Sequence, residues 1–186
     1  YHRISIENIN KLKYLFIPIV ALIAPVFLVV LQPDLGTSLL IAAGGIATGE
    51  GMLATMVLGA DGVQIGSRFV ASEESSAHQA FKEEVINTKE GDTQLTLKEL
   101  APVRLIKNEF FKQVQDLYKT TPTIEQLKEL LGRARAKRGM FEGDLKEGEL
   151  EIGQISGLIH DIKPVEKIVK DIIKEFEESK KRVSTL

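Results

Sequence analysis

The pattern of apolar positions divides the chain into two parts that meet near residue 41. Residues 15–31 read LFIPIVALIAPVFLVVL, seventeen residues without a charged side chain. This length is close to the minimum for crossing the hydrocarbon core of a bilayer. Pro18 and Pro25 favour a membrane helix over a buried soluble helix, because proline costs about 3 kcal/mol inside a soluble helix and is better tolerated in membranes. We therefore predict one membrane-spanning helix over residues 15–31, within an N-terminal part that comprises residues 1–41.

Charged residues on either side of this run predict its orientation. Arg3, Lys11 and Lys13 precede the run, and Asp34 follows it. The positive-inside rule then places residue 1 on the cytoplasmic side and Asp34 at the opposite face. A carboxylate at a membrane edge is either a solvated helix end or part of a site, so Asp34 is a possible functional carboxylate. A cleaved signal peptide is disfavoured, because residues 32–34 are a poor cleavage site.

From residue 42 to residue 186 the pattern is that of an α/β protein. Residues 41–46 and 62–66 read as two short buried strands that end in small residues. Between them, Thr48 can cap a helix that carries an apolar stripe at helical spacing, and Gly59 can end it. A strand, a helix and a second strand joined by short loops predict adjacent parallel strands with a right-handed crossover.

Amphipathic patterns then predict a helical region from about residue 73. The predicted helices cover residues 76–85 and 103–118, a segment that follows a Thr123–Gln126 capping box and ends at Gly132, and a segment that starts at Val165. The polar stretch 90–93 is predicted to be a loop. The apolar stripes of the predicted helices are interpreted as packing surfaces.

Charge and composition narrow the function classes. The chain has 24 Lys and Arg residues against 26 Asp and Glu residues, so it lacks the basic excess of a nucleic-acid-binding protein. It has no cysteine, which excludes disulfides, thiolate metal sites and a cysteine nucleophile. No metal site is predicted. The basic cluster Arg133, Arg135, Lys137 and Arg138 is either a solvated helix face or a contact for a phosphate or carrier protein.

The two predicted strand ends carry the candidate chemistry of the second part. Gly44, Gly45 and Gly66 lack a Cβ atom, so their backbone N–H groups can approach an anion closely. Ser67 adds a hydroxyl group. In (β/α)8 barrels a phosphate commonly binds between the loops after strands seven and eight. The alternative is two glycine-rich turns that only permit tight packing.

The amino-acid sequence of this second part resembles that of a known enzyme family. The stretch IAAGGIATGEGMLATMVLGADGVQIGSRFVAS, residues 41–72, resembles the last two β/α units of nitronate monooxygenases (formerly 2-nitropropane dioxygenases) and of the related flavin-dependent enoyl-ACP reductases. The resemblance continues through APVRLIKN at 101–108 and ELEIGQISGLI at 149–159. It implies that residues 42–186 are the incomplete C-terminal part of an FMN-binding (β/α)8 barrel.

The resemblance also implies a set of cofactor-binding residues. Gly44, Gly45, Gly66 and Ser67 match the positions that hold the FMN phosphate, and Gln64 lies beside them. Gln154 and Ser156 could fold back over the flavin edge, although a plain turn fits the local sequence equally well. We expect only the phosphate contacts of FMN to survive in this chain.

The N-terminal part resembles a different family. Residues 13–41 read KYLFIPIVALIAPVFLVVLQPDLGTSLLI and resemble the rod-shape and cell-division (SEDS) peptidoglycan glycosyltransferases, with QPDLGTSLL at 32–40 as the signature. The resemblance implies a functional carboxylate at Asp34. The segment LLIAA at 39–43 matches both the end of the glycosyltransferase-like stretch and the start of the barrel-like stretch. Such an overlap is expected of a recombination or an assembly error that joined two genes.

Three functional hypotheses follow. The first is an FMN-dependent oxidoreductase that oxidises nitronates with O₂, with an enoyl-ACP reductase as the second choice within the family. The second is a fragment of a membrane glycosyltransferase, and the third is an inert chimera. The family uses a histidine after a glycine-rich strand as its acid–base group. His2, His78 and His160 do not follow such a strand, so no catalytic residue is assigned and the chain is expected to be inactive. The resemblance implies a cytoplasmic barrel part that takes a small-molecule nitronate, while residues 15–31 are expected to bind the lipid bilayer.

Overall fold

The computed structural model describes residues 44–185, in which short helices surround a small antiparallel sheet. The elements in chain order are α1 (Gly49–Val57), α2 (Ser67–Val70), α3 (Gln79–Asn87), β1 (Thr93–Thr96), β2 (Val103–Ile106), α4 (Glu109–Tyr118), α5 (Ile124–Leu131), α6 (Arg135–Met140), a 3₁₀ helix (Gln154–Leu158) and α7 (Val165–Val183). The predicted membrane helix at 15–31, Asp34 and the boundary at 41–42 lie outside the described residues.

The sheet is held together by contacts between distant parts of the chain. Strands β1 and β2 pair antiparallel, with Thr93 opposite Ile106 and Thr96 opposite Val103. The other side of β2 is bonded to residues 150–152: the Ile106 amide donates to the Leu150 carbonyl at 3.0 Å, and the Ile152 amide donates to the Arg104 carbonyl at 3.1 Å. The segment that leads into the 3₁₀ helix is therefore attached to the centre of the sheet.

Two apolar cores lie on either side of this sheet. The first packs α3 and the segment around the 3₁₀ helix together, and its members include Phe81, Val85, Ile106, Leu150 and Ile159. The second packs α4 and α5 against the strands, and its members include Leu97, Leu105, Phe110, Val114 and Leu127. Neighbouring residues of β2 divide between the two cores, since Ile106 belongs to the first and Leu105 to the second, and both are buried.

The long helix α7 packs against α1 near the start of the described chain. Its apolar positions include the buried Ile168 and Ile172, as the amphipathic pattern predicts. The side chain of Arg182 near its C-terminal end forms an ion pair with Glu50 of α1 at 3.0 Å. Within residues 44–185 no helix combines the length and hydropathy needed to cross a membrane.

The prediction of two adjacent parallel strands is wrong for the described residues. Residues 44–47 and 62–66 are irregular, and the only sheet in residues 44–185 is formed by β1 and β2. No backbone hydrogen bond joins 44–47 to 62–66. A parallel strand is stable when its backbone groups pair with neighbouring strands, and residues 62–66 have no such partner among the described residues.

The helix predicted over residues 103–118 is half wrong. Residues 103–106 form β2, and helix α4 begins only after Asn108, whose side chain accepts a hydrogen bond from the Phe111 amide at 3.0 Å. The apolar spacing of Val103 and Ile106 suits a helix, but their backbone pairs with β1 and with residues 150–152 instead. Similarly, the helix predicted over 76–85 is α3, which begins at Gln79 after a cap at His78.

Several local signals are confirmed. Thr48 caps α1 by accepting a hydrogen bond from the Gly51 amide at 3.1 Å. Thr123 and Gln126 form the predicted capping box at the start of α5, and Gly132 ends that helix with φ +65°. These features depend on residues within one turn of each other, which explains why the sequence indicates them correctly.

Candidate functional site

The first part of the candidate site is the GG loop, residues 44–48, which precedes α1. Gly44 and Gly45 are exposed, and Gly45 has φ +82°, a conformation that side-chain-bearing residues adopt rarely. A Cβ atom at Gly45 would meet no atom of the other described residues within 4 Å. The amides of Gly44 and Gly45 donate no hydrogen bond to another described residue. Within residues 44–185 this loop therefore presents backbone donors without an acceptor.

The second part is the GS loop, residues 62–67, which leads into α2. Gly66 precedes the first turn of α2, and its carbonyl accepts hydrogen bonds from the amides of Phe69 and Val70. A Cβ atom at Gly66 would also meet no atom of the other described residues within 4 Å, and the Gly66 φ of −108° suits any residue. The amides of Gly66 and Ser67 have no acceptor among the described residues. Gln64 is exposed on the same loop.

Both loops meet the segment that contains the 3₁₀ helix. The Ser67 hydroxyl oxygen accepts a hydrogen bond from the Gly153 amide at 3.1 Å. Gly45 and Gln154 line one cavity, and Gln154 directly follows Gly153. The Ser67 hydroxyl proton remains free for another acceptor, because its oxygen is used here as the acceptor. Residues 153–158 thus connect the two glycine loops that the sequence analysis grouped together.

The shared cavity has a volume of about 510 Å³. Its described lining residues are Gly45, Glu90, Gly91, Gln154, Ile155, Gly157 and Leu158. A volume of this size is within the range of small-molecule and cofactor sites. No Lys or Arg is among these lining residues, so an anion near Gly45 would depend on backbone N–H groups and hydroxyl groups. Glu90 and Gly91 come from the turn predicted at 90–93, which the sequence analysis did not connect with the site.

Ser156 does not fit its predicted place at the flavin edge. Its residue is fully buried and its hydroxyl oxygen has no hydrogen-bond partner in the structure. It is absent from the described lining of the cavity, whereas Gln154 is exposed and lines it. The reason is the 3₁₀ geometry of residues 154–158, which turns neighbouring side chains toward different directions.

The buried guanidinium group of Arg68 fixes the residues that follow the GS loop, and the sequence alone did not indicate this role. Arg68, only 8% exposed, donates to the Asp161 carbonyl at 3.1 Å and to the Ala71 carbonyl at 3.3 Å, and it forms an ion pair with the Asp161 carboxylate. Asp161 is 93 positions away in sequence. No local pattern indicates such a pair. An arginine that directly follows the Gly66–Ser67 dipeptide in an apolar context was nevertheless a signal for a buried charge.

The ion pairs continue from Asp161 toward α7. Lys163 bonds Asp161 at 2.8 Å and Asp171 at 2.9 Å. The hydrogen bonds that Lys163 donates to Asp161 and Asp171 raise the pKa of Lys163, and the hydrogen bond that Asp171 accepts from Lys163 lowers the pKa of Asp171. Thr48, Arg68, His160 and these charged residues surround a second, smaller cavity of about 130 Å³. The network keeps the charges around this cavity paired.

The two described histidines and Arg135 of the basic cluster either cap helices or lie at the surface. His78 is exposed and caps α3, where its Nδ1 accepts a hydrogen bond from the Ala80 amide at 3.2 Å. His160 is exposed beside the smaller cavity. Arg135 donates to the carbonyls of Leu131 and Leu130, so it caps the C-terminal end of α5. Within residues 44–185 no group of His, Asp and Glu side chains has the arrangement of a metal site.

Comparison with known proteins identifies the family. The family model described as nitronate monooxygenase matches residues 31–175. This range includes all of residues 32–40, the signature compared above with a peptidoglycan glycosyltransferase family. A probable nitronate monooxygenase of Staphylococcus saprophyticus is 35% identical over 134 residues, which are 70% of this chain and 38% of that protein. One from Staphylococcus aureus is 35% identical over 137 residues, with 73% and 38% covered.

Solved structures agree with this assignment. The structure of FabK from Thermotoga maritima is 40% identical with a TM-score of 0.71, covering 76% of this chain and 45% of that chain. A nitroalkane oxidase from Streptomyces ansochromogenes is 25% identical with a TM-score of 0.61, covering 75% and 40%. The chain thus spans less than half the length of each of these relatives. It belongs to the nitronate monooxygenase family, as a part of that family's TIM-barrel fold.

Proposed function

We propose that this chain is the phosphate-binding part of an FMN-dependent oxidoreductase of the nitronate monooxygenase type. The observation that carries the proposal is the meeting of the two glycine loops at residues 153–158. Gly45 shares a cavity with Gln154, and Ser67 bonds Gly153. Membership of the family supports FMN as the cofactor. When bound, the flavin supplies the electron acceptor for substrate oxidation and passes electrons to O₂.

The residues present fit a phosphate group. The amides of Gly44, Gly45, Gly66 and Ser67 donate to no other described residue, and a Cβ atom at Gly45 or Gly66 would meet no atom of the other described residues within 4 Å. Backbone N–H groups that converge on one point form an anion-binding concavity, and we propose that these four amides do so. The Ser67 hydroxyl can add one more donor while its oxygen still accepts from Gly153. These groups would bind and orient the phosphate, and Gln154 would stand beside the flavin edge.

A titration of the purified full chain with FMN and riboflavin tests this proposal. The two flavins share the ring and differ in the phosphate, so a phosphate site makes FMN bind more tightly than riboflavin. Gly66→Val should weaken FMN binding at least tenfold, because its side chain would enter the space beside the free amides. Riboflavin binding should not change. Gly66 is preferable to Gly45 for this test, because valine at φ +82° would strain the backbone by itself.

The matched control for this titration is Gly51→Ala. Its Cβ atom would lie 3.4 Å from the Thr48 hydroxyl oxygen, an acceptable contact away from the open amides. Equal affinities for FMN and riboflavin in the parent chain, or an unchanged FMN affinity in Gly66→Val, would contradict the phosphate site. Flavin fluorescence reports both affinities directly.

A flavin-dependent enoyl-ACP reductase is the second candidate. It is favoured by the similarity to FabK and by the apolar side chains of Ile155 and Leu158 in the cavity, which suit an acyl chain. The two candidates differ in what reduces the bound flavin: a propane nitronate for the first, and a nicotinamide cofactor for the second. Bleaching of the flavin absorbance without oxygen, with each reductant in turn, distinguishes them. The inactivity expected from the sequence stays a prediction, and aerobic turnover of the nitronate tests it.

We further propose that residues 15–31 attach the chain to a bilayer. The proposal is supported by the uncharged apolar run and by the basic residues that precede it.

A further inference from the structure

The relative position of the two glycine loops needs a physical cause. A parallel pair of strands would set it, but residues 44–47 and 62–66 share no hydrogen bond. Residues of the 3₁₀ helix share a cavity with Gly45 of the GG loop, and one hydrogen bond, from Gly153 to Ser67, attaches the residue before the 3₁₀ helix to the GS loop. Ala47 of the GG loop and Ala71 after the GS loop also belong to the same apolar core. A further connection runs through the C-terminal helix α7, which is anchored to the element that follows each loop.

The anchor on the side of the GG loop is Gly49, the first residue of α1. A Cβ atom at Gly49 would overlap the Ile172 carbonyl oxygen and the Phe176 amide nitrogen, so the two helix backbones touch at this point. The Gly49 amide donates to the Glu175 carboxylate at 2.9 Å. Because α1 begins one residue after the GG loop, any shift between α1 and α7 moves the loop as well.

The anchor on the side of the GS loop is the segment just before α7. The Glu73 amide donates to the Lys163 carbonyl at 3.1 Å, and the Val165 amide donates to the Glu74 carboxylate at 2.9 and 3.0 Å. Arg68 of α2 is paired with Asp161. The start of α7 is therefore bonded to residues 68–74, which directly follow the GS loop.

We propose that Gly49 is a positioning residue for the cofactor phosphate. Its backbone contact with α7 sets the position of the GG loop relative to the GS loop, so that amides from both loops reach one anion. The missing side chain is the essential feature, because only glycine allows this backbone-to-backbone approach. The inference rests on the proposed phosphate site for its functional consequence, while the positional consequence stands without a ligand.

The positional consequence is tested by a distance measurement. The chain has no cysteine, so Leu58→Cys and Ser76→Cys accept spin labels at two exposed positions, one directly after α1 and one after α2. Gly49→Ala should shift or broaden the label-to-label distance distribution. Gly51→Ala is the matched control, since both changes put alanine in the same helix and only Gly49 faces α7 backbone. Identical distributions in the parent and in a folded Gly49→Ala chain would overturn the proposal.

The functional consequence is tested by flavin preference. Gly49→Ala should lower FMN affinity at least tenfold and leave riboflavin affinity unchanged, because the phosphate alone depends on both loops. A general loss of structure would weaken both flavins together, and that result would count against a positioning role. Gly51→Ala should retain the parent preference.

A milder variant protects the test against misfolding of Gly49→Ala. Glu175→Ala removes the acceptor of the Gly49 amide and adds no volume, and Glu177→Ala is its control at an exposed position of the same helix. We expect Glu175→Ala to raise the FMN dissociation constant several-fold and to broaden the distance distribution, and Glu177→Ala to do neither. If the parent prefers neither flavin but the distances change, the proposed function fails and the positioning role survives. Another outcome is that the parent prefers FMN, while Gly49→Ala and Glu175→Ala both keep the parent's label-to-label distances and FMN affinity. That outcome would contradict the positioning role and leave the proposed function intact.

Discussion

Glu149 carries a carboxyl group that is buried close to the sheet, with a residue exposure of only 6%. Burial raises its pKa to about 7, with a further increase from the nearby Glu151 carboxylate and an opposing effect of Arg135. The backbone around it is tightly packed, because a Cβ atom at Gly139 would lie 2.7 Å from the Glu149 carbonyl oxygen.

The raised pKa of Glu149 predicts a stability that depends on pH. Its folded-state pKa lies above the unfolded value of about 4.5, so its contribution is fully present below pH 4.5 and is lost as pH rises through about 7. Glu149→Gln should remove this loss and unfold with a free energy about 2 kcal/mol higher than the parent at pH 8, with little difference at pH 4.5. Urea unfolding at the two pH values measures it.

The control for this measurement is Glu177→Gln, at an exposed position of α7. It should leave the free energy of unfolding the same as the parent's at both pH values. A Glu149→Gln chain that is less stable than the parent at pH 8 would show that the ionised carboxylate is stabilised in the fold.

At the level of elements, Asn108 decides where β2 ends and α4 begins. Its side-chain oxygen accepts from the Phe111 amide, and its side-chain nitrogen donates to the carbonyls of Leu145 and Gly148 at 2.9 and 2.8 Å. One side chain thus caps a helix and attaches it to a turn about forty positions away. Helix N-caps and hydrogen bonds of this kind contribute about 1 kcal/mol each.

Substitutions at Asn108 should separate these two roles. Asn108→Ala is expected to lower the free energy of unfolding by about 2–3 kcal/mol, since it removes the cap and both donors. Asn108→Ser keeps a cap acceptor and removes only the side-chain amide donors, so it should be more stable than Asn108→Ala. Chemical denaturation followed by circular dichroism gives both values. Equal stabilities of the two variants would mean that the cap contributes nothing.

At the level of the whole molecule, the N-terminal run predicts where the chain is found in a cell. The full chain should remain with membranes after a carbonate wash, because residues 15–31 contain no charge. Leu22→Lys places a charge at the middle of the run, which costs about 3 kcal/mol in a bilayer. It should move a large fraction of the chain to the supernatant, which immunoblotting of the two fractions detects.

The control for this fractionation is Ser184→Lys, a charge added near the other end of the chain. It should stay with the membranes as the parent does. Recovery of the parent chain in the supernatant would contradict a membrane-spanning run.

The sequence by itself determined the features that depend on near neighbours. The caps at Thr48 and Thr123, the glycine stop at Gly132 and the amphipathic α7 were all predicted correctly, because each involves residues within one or a few helical turns. The sequence motifs around the GG and GS loops indicated the family, which the comparison with nitronate monooxygenases confirmed. Local propensities and short motifs do not depend on distant partners in the fold.

Only the tertiary structure decided the features that depend on distant partners. Residues 103–106 became a strand because residues 93–96 and 150–152 supply hydrogen bonds, although their apolar spacing suits a helix. Residues 62–66 stayed irregular because no described strand pairs with them. The contact of Ser67 with Gly153 and the pair of Arg68 with Asp161 cross 86 and 93 positions of sequence. Such contacts form only when packing brings separate segments together, and no local pattern of apolar and polar residues encodes which segments will meet.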